Sequence, residues 1–412
     1  MAGLGVKCRV LLMVNGVSGG GVERVAYAHG RALAFDPGFE LAMAVCGGCP
    51  DYLPADRCFT LPDFREAAKI RGVIGVGFNR GGMERLLMGF RPDIIHIHAY
   101  IQFSPGALSA VLAYKMKNRC KIFMTHHTFA YICPNDALYN FRAGVVCEKC
   151  VGKSGAGIIW NNCYGNAFGS WGKYVQKANF RRIFDRGLVD AHIAPSVFVR
   201  DKLKRHDPKL DAAVVQNPSL GSVLPEMPRK TLGKAVFFGR LSREKNVLAA
   251  AEAALGMPGG MRLMIVGGGP EAGRLKGFLK EHGSASDKID FIDEFMPKDK
   301  LYRAVSDAEY FVLPSVCYET AGVSLIEALN LGMTPVVSGH GSLREIVESA
   351  NVGYLFDPHD AESISKALES AAANRKNDEK ALAGAVRGFL NGHTEKAYAA
   401  KILALYGRGD CT

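Results

Sequence analysis

Along almost the whole chain, short apolar runs alternate with helix-length amphipathic segments, and the alternation runs twice. The first half reads "RVLLMV", a glycine turn and "VERVAYAHGRALA", then "ELAMAVC", "DIIHIHA" before "PGALSAVLAYKMK", "KIFMTHH", "AHIAPS" before "VFVRDKLKRH", and "AAVVQNP". The second half repeats the scheme with "AVFFG", "VLAAAEAAL", "RLMIVGGG", "EAGRLKGFLKEH", "KIDFID", "KLYRAVS" and "YFVLPS". Strands separated by crossover helices of this length must run parallel and be covered on both faces. The expected fold class is therefore α/β, with two Rossmann-like, doubly wound parallel-sheet domains facing a central cleft. A chain of 412 residues also exceeds what one hydrophobic core usually supports. The Pro- and Gly-rich "QNPSLGSVLPEMPRKTLGK" reads as the linker, giving domains at 1–218 and 219–392. A Cys-rich insertion at about 131–170 belongs to the first, and "TEKAYAAKILALYG", within about 393–412, is expected to pack back onto it.

The formal charge of +11 becomes informative when divided. Residues 1–218 hold 28 Lys plus Arg against 16 Asp plus Glu, whereas residues 219–412 hold 23 against 24. Two basic stretches carry the excess, "FREAAKIRGVIGVGFNRGGMERLLMGFR" and "GKYVQKANFRRIFDRG". Interleaved with apolar residues, they suit an anionic membrane surface or a solvated helix face. Neither falls in a nucleic-acid-binding motif, so nucleic acid is not an expected partner. No apolar run approaches a membrane span, and the start lacks a cleavage pattern. The expectation is a cytoplasmic protein beginning at Met1, with peripheral contact to the inner face of the membrane.

In such sheets ligands bind beyond the carboxyl ends of the strands, and four sequence groups fall there. Gly19, Gly20 and Gly21 follow the first strand and open a helix, where a backbone free of side chains can approach a phosphate or sugar; a tight turn explains them equally. Lacking the Lys-Ser or Lys-Thr pair, this is no Walker loop. Arg240 and Lys245 in "FFGRLSREKNV" follow another strand and form a basic pair suited to a diphosphate. Gly267, Gly268 and Gly269 follow a third. The fourth group is "LPSVCYETAGVSLIEALNLG", where Glu319 precedes a helix and Glu327 lies two turns inside it. The amides of Thr320, Ala321, Gly322 and Val323 at that helix start suit an anion. The two carboxylates therefore address parts of a ligand roughly 10 Å apart. The plainer reading makes Glu319 a cap and Glu327 a surface residue.

Taken in order and spacing, "GGGVERV", "GRLSREKN", "VGGGPE", "LPSVCYETAGVSLIEALNLGMTPVVS" and "GYLFDPHDAESISKAL" resemble the retaining glycosyltransferases of family 4, which have the GT-B fold. The resemblance implies a hexose transferred from a UDP- or GDP-sugar to a glycan or lipid-linked acceptor in polysaccharide or glycoconjugate biosynthesis. By the same resemblance Glu319 meets the hexose hydroxyls, Glu327 the ribose, and Arg240 and Lys245 the diphosphate. "FMTHHTFAYICP" resembles the family's strand-end histidine segment and places His127 on the acceptor side, with His126 as its alternative. Of His96 and His98, the latter is nearer the strand end. With no Asp-x-Asp motif, no catalytic metal is expected. A sugar-nucleotide epimerase and a non-catalytic nucleotide-sugar-binding protein stand as alternatives.

Nine of the eleven cysteines precede residue 164. Cys133, Cys147, Cys150 and Cys163 cluster, and the central Cys-x-x-Cys has metal-ligand spacing, so a structural Zn or Fe-S site is expected to order the inserted loop; free thiols are the alternative. Cys46 and Cys49 form a second doublet, whose glycines read as a turn.

Overall fold

The computed structural model describes residues 7–16, 20–66, 77–219, 228–257 and 260–407. Gly19 and the middle of the first basic stretch, 67–76, lie outside them. The chain divides into two compact units. The first comprises Met1–Ala143, Cys147–Pro218 and Glu395–Thr412; the second comprises Gly144–Val146 and Ser219–Thr394.

In the first unit seven strands form one sheet: β1 (Cys8–Val14), β2 (Phe39–Val45), β3 (Cys58–Thr60), β4 (Ile94–Ile97), β5 (Lys121–Thr125), β6 (Ala191–Ala194) and β7 (Ala212–Val214), in the order β3-β2-β1-β4-β5-β6-β7. Among the described residues its pairings are all parallel. From Val10 to Val14 every residue of β1 is buried. Both faces are therefore covered, and the strand reads as an uninterrupted apolar run. Cys49 and Cys58 are joined by a disulfide, so the pairing runs outside the Cys46/Cys49 doublet and leaves Cys46 free.

The second unit has six strands: β8 (Thr231–Phe238), β9 (Arg262–Val266), β10 (Ile289–Ile292), β11 (Ala308–Leu313), β12 (Thr334–Ser338) and β13 (Tyr354–Phe356), ordered β10-β9-β8-β11-β12-β13. All of its pairings are parallel. In each sheet the strand order reverses beside the first strand of the unit, between β1 and β4 and between β8 and β11. Ligands of doubly wound sheets sit beyond the strand ends at such a reversal.

Gly267, just past β9, shows why a glycine run follows that strand. Its φ is +150°, and a Cβ would lie 1.9 Å from the Gly239 carbonyl oxygen. Only glycine lets the turn after β9 close against the turn after β8. The amide of Leu241 then donates to the Gly268 carbonyl at 2.8 Å, which fixes the loop carrying Arg240.

Candidate active site

At the reversal of the second sheet, the loops after β8 and β11 meet. Lys245 donates to Glu319, which also accepts from the Ser315 hydroxyl at 2.7 Å. His340 donates from Nε2 to the Ser315 carbonyl at 2.8 Å. Burial alone would raise the Glu319 carboxyl, but Lys245 and Ser315 outweigh it and hold the carboxyl below its ordinary value. Lys245 mirrors this: burial lowers its ammonium, Glu319 more than offsets it, and the net shift is upward. The pair is therefore charged on both sides at neutral pH.

Arg240 is tied to the same loop through Glu244, the residue before Lys245, a partner that sequence reasoning missed. Its guanidinium meets the buried Glu244 carboxylate at 2.5 Å, to which Ser242 donates at 2.8 Å. The Glu244 carbonyl accepts from the Val316 amide at 2.9 Å, stitching the two loops together. The Arg240 side chain is 61% exposed, so its charge is anchored at one end and open to a ligand at the other. Glu244 stands four residues after Arg240 in "GRLSREKN", a spacing that hinted at the pair.

Glu319, Thr320 and Ala321 lie on the loop leading to the helix Val323–Asn330, and Gly322 caps it with φ +54°, where a Cβ would meet Ile346 at 2.6 Å. Glu327, read as a surface position in the plainer account, is 2% exposed and bonded to Lys298 at 2.6 Å. A carboxylate is tolerated there because the ammonium is drawn to it, over the rings of Phe238 and Tyr302. Gly268 faces Phe295, whose ring is 65% exposed.

In the first unit, a cavity of about 230 Å³ lies beyond the ends of β1, β4 and β5, lined by Asn15, Glu23, His98, His126 and His127 among others. Gly20 caps and Gly21 opens the helix Gly21–Ala34, but a carboxylate, Glu23, stands in its first turn and accepts from Asn15 at 3.0 Å. That charge disfavours a second anion at this helix start. His127 bonds through Nε2 to His98 at 2.9 Å, and His126 through Nε2 to His192 at 2.8 Å. Burial lowers His127 to about 4 and His126 well below its ordinary value, so both rings are neutral at pH 7.

Cys133, Cys147, Cys150 and Cys163 are free thiols in this unit, three of them buried. The Cys150 thiol bonds to Cys133, and that bond together with burial raises it. That bond, with the amides of Asn135 and Leu138, outweighs burial and pulls Cys133 down to about 7. Lys177, read as part of a basic face, is buried instead; it donates to the carbonyls of Ala130, at 2.6 Å, and Tyr131, and burial lowers it to about 8.

Two Rossmann-like domains with an acid and a base locked together at the strand reversal define a protein of the GT-B class. Residues 19–218 match the profile of Glycosyltransferase Family 4 and residues 227–386 that of Glycosyl transferases group 1, and the chain belongs to this family. It is 28% identical over 205 residues to alpha-maltose-1-phosphate synthase of Mycolicibacterium smegmatis, a match covering 44% of this chain and 53% of that protein. The chain thus spans about half the length of that curated relative. The fold matches sucrose-phosphate synthase from Thermosynechococcus elongatus with TM-score 0.69 and 17% identity, over 97% of this chain and 98% of that one. It also matches Anabaena Alr3699/HepE in complex with UDP-glucose, with TM-score 0.65 and 12% identity, over 96% and 98%.

Proposed function

We propose that this chain transfers a hexose from a nucleoside-diphosphate sugar to a glycan or lipid-linked acceptor with retention of configuration. The observation that carries the reading is the Lys245–Glu319 pair at the sheet reversal, with Ser315 bonded to the same carboxylate and Arg240 anchored to Glu244, the residue before Lys245. As the bond from the sugar C1 to the diphosphate breaks, negative charge grows on the leaving phosphate, where Arg240, Lys245 and the helix-start amides are already in place. The acceptor hydroxyl oxygen bonds to C1 on the same face, and its proton passes to the departing phosphate oxygen. Glu319 orients hexose hydroxyls, Glu327 the ribose, and His127 the acceptor side. No metal takes part in this scheme, because fixed cations meet the diphosphate. The UDP-glucose bound by the Anabaena protein makes uridine donors the first to try.

The test is a thermal-shift screen of UDP, GDP and ADP and their glucose conjugates, followed by a donor-only incubation. A ligand at 100 times its dissociation constant stabilises by about 2.7 kcal/mol. Slow release of nucleoside diphosphate supports a transferase, whereas formation of an epimer, or binding without turnover, rejects it.

We also propose a membrane contact for the first unit and a metal that orders its insertion. Both tryptophans of the chain point outward around one helical corner, with Trp160 85% and Phe168 77% exposed and Trp171 about half. The helix Ala167–Phe184 adds Lys173, Arg181 and Arg182. Aromatic rings beside cationic groups suit an anionic bilayer interface, so contact with the cytoplasmic face of a membrane is proposed. Among the described residues, no helix is long and apolar enough to cross one. The four clustered thiols are proposed to hold a structural Zn or Fe-S group.

A further inference from the structure

Five hydrogen bonds in the first unit join six side chains end to end. Thr125 Oγ1 meets His96 Nε2 at 2.8 Å, and His96 Nδ1 meets the Tyr406 hydroxyl at 2.8 Å. That hydroxyl meets His29 Nε2 at 3.1 Å, His29 Nδ1 meets His98 Nε2 at 2.8 Å, and His98 Nδ1 meets His127 Nε2 at 2.9 Å. The members come from the first helix, the ends of β4 and β5, and the last helix, Glu395–Tyr406. All six are buried. Burial lowers His29 to about 3 and His127 to about 4, and lowers His96 and His98 well below their ordinary value. Each ring is therefore neutral at pH 7 and carries one N–H.

Every link needs one proton, since two bare lone pairs or two N–H groups repel at these distances. His96, Tyr406, His29 and His98 supply four protons for five links, so the fifth comes from one end, either Thr125 or His127. Only two arrangements use the Tyr406 proton within the chain. When Thr125 donates, all four histidines carry the proton on Nδ1; when His127 donates, all four carry it on Nε2. Thr125 is 2% exposed, and His96 is the partner of its hydroxyl. Donation to His96 leaves no buried O–H unsatisfied, which favours the first arrangement.

We infer that these six side chains act as one proton chain that holds His127 as the Nδ1–H tautomer, making His29, His96, His98 and Tyr406 positioning residues for His127. At its second ring nitrogen His127 then carries a proton and not a lone pair, which makes that atom a donor and not a base. Placing His127 on the acceptor side rests on the transferase reading above; the tautomer itself does not. His29, His96 and His98 also have ligand atoms within 4.8 Å of one another, the closeness of a metal site. Yet each of their ring nitrogens is already bonded within the chain, and a metal would have to break those bonds.

The experiment is long-range 1H–15N correlation of 15N-histidine-labelled full-length protein without substrate, with signals assigned by single substitutions. His29, His96, His98 and His127 are expected to be neutral and all protonated on Nδ1. One of them on Nε2, a cationic ring at pH 7, or a metal-bound pattern overturns the inference. Tyr406→Phe and Thr125→Val, both near-isosteric, are expected to give His127 mixed tautomers although neither residue touches it, and Thr125→Ser is expected to restore the Nδ1–H form. An unchanged His127 signal in both variants overturns it as well. Since no donor or acceptor is added, its failure and that of the transferase reading are read separately.

Discussion

Lys298 reaches Glu327 at 2.6 Å across 29 residues of sequence, and of the two only the lysine touches water: its side chain is 34% exposed, that of the glutamate 1%. The asymmetry decides what each deletion costs. Lys298→Met takes the ammonium away from a buried carboxylate and is expected to lose about 3 kcal/mol of stability. Glu327→Gln leaves a lysine that can turn to solvent and is expected to lose less. Urea unfolding of the two variants checks the order, and equal losses would contradict the reading.

Arg240 tests the donor site from its open side. With Glu244 holding one end of the guanidinium, Arg240→Ala removes a preorganised charge and little packing. Turnover of the donor identified by the thermal-shift screen is expected to fall about 100-fold at a temperature where the variant is folded, and the unfolding midpoint is expected to drop because the buried Glu244 carboxylate loses its cation. Near wild-type turnover and donor affinity would remove Arg240 from the site.

The Lys245–Glu319 pair gives a pH signature. Glu319 has a folded pKa below its ordinary value, so its contribution is full above about pH 4.3 and fades as pH falls through the lowered value. Lys245 is raised, so its contribution holds below about pH 10.4 and fades as pH rises through the raised value. The melting-temperature gap between wild type and Glu319→Gln should be flat from about pH 5.5 to 9.5 and shrink in stronger acid. A gap that widens in acid would show that the pair is not ionised as described.

The alternation of strands and helices was legible because a strand buried on both faces must read as an apolar run, as β1 and β11 do. Glu319, Arg240 and Lys245 were legible because strand ends and helix starts are local features. Their partners were not: Ser315 could be any turn serine, and nothing near Glu327 points to Lys298. Lys177 misleads for the same reason, being a basic residue in a helical pattern whose partners, the carbonyls of Ala130 and Tyr131, lie in a distant loop. His29 looks like any helix residue until the last helix delivers Tyr406 to it.

The outward tryptophans supply their own probe for the proposed membrane contact. Vesicles with about a third anionic lipid should blue-shift the emission, and neutral vesicles or high salt should weaken the effect, since surface attraction is screened over about 10 Å at 0.1 M salt. Replacing Trp160 and Phe168 together with Ala is expected to abolish co-sedimentation without changing the unfolding midpoint. Emission indifferent to anionic vesicles would remove this corner as a membrane contact.

The clustered cysteines can be tested by what holds their loop in place. Cys133 already receives the amides of Asn135 and Leu138, an arrangement that stabilises a thiolate, and Cys150 bonds to it directly. Three of the four sulfurs are buried, and nearby orphaned polar groups, both side-chain atoms of Asn135, show that this region is not a satisfied apolar core. A bound ion would turn four competing thiols into ligands and release their protons. Elemental analysis of protein purified without chelator is expected to give about one zinc, or iron with visible absorption, per chain. Cys150→Ser should lose that metal and lower the melting temperature, whereas Cys120→Ser, a buried free thiol outside the cluster, should keep it. Metal-free protein with four rapidly alkylated cysteines after denaturation, and no stability change on chelation, would leave the cluster as reduced thiols that pack the loop by themselves.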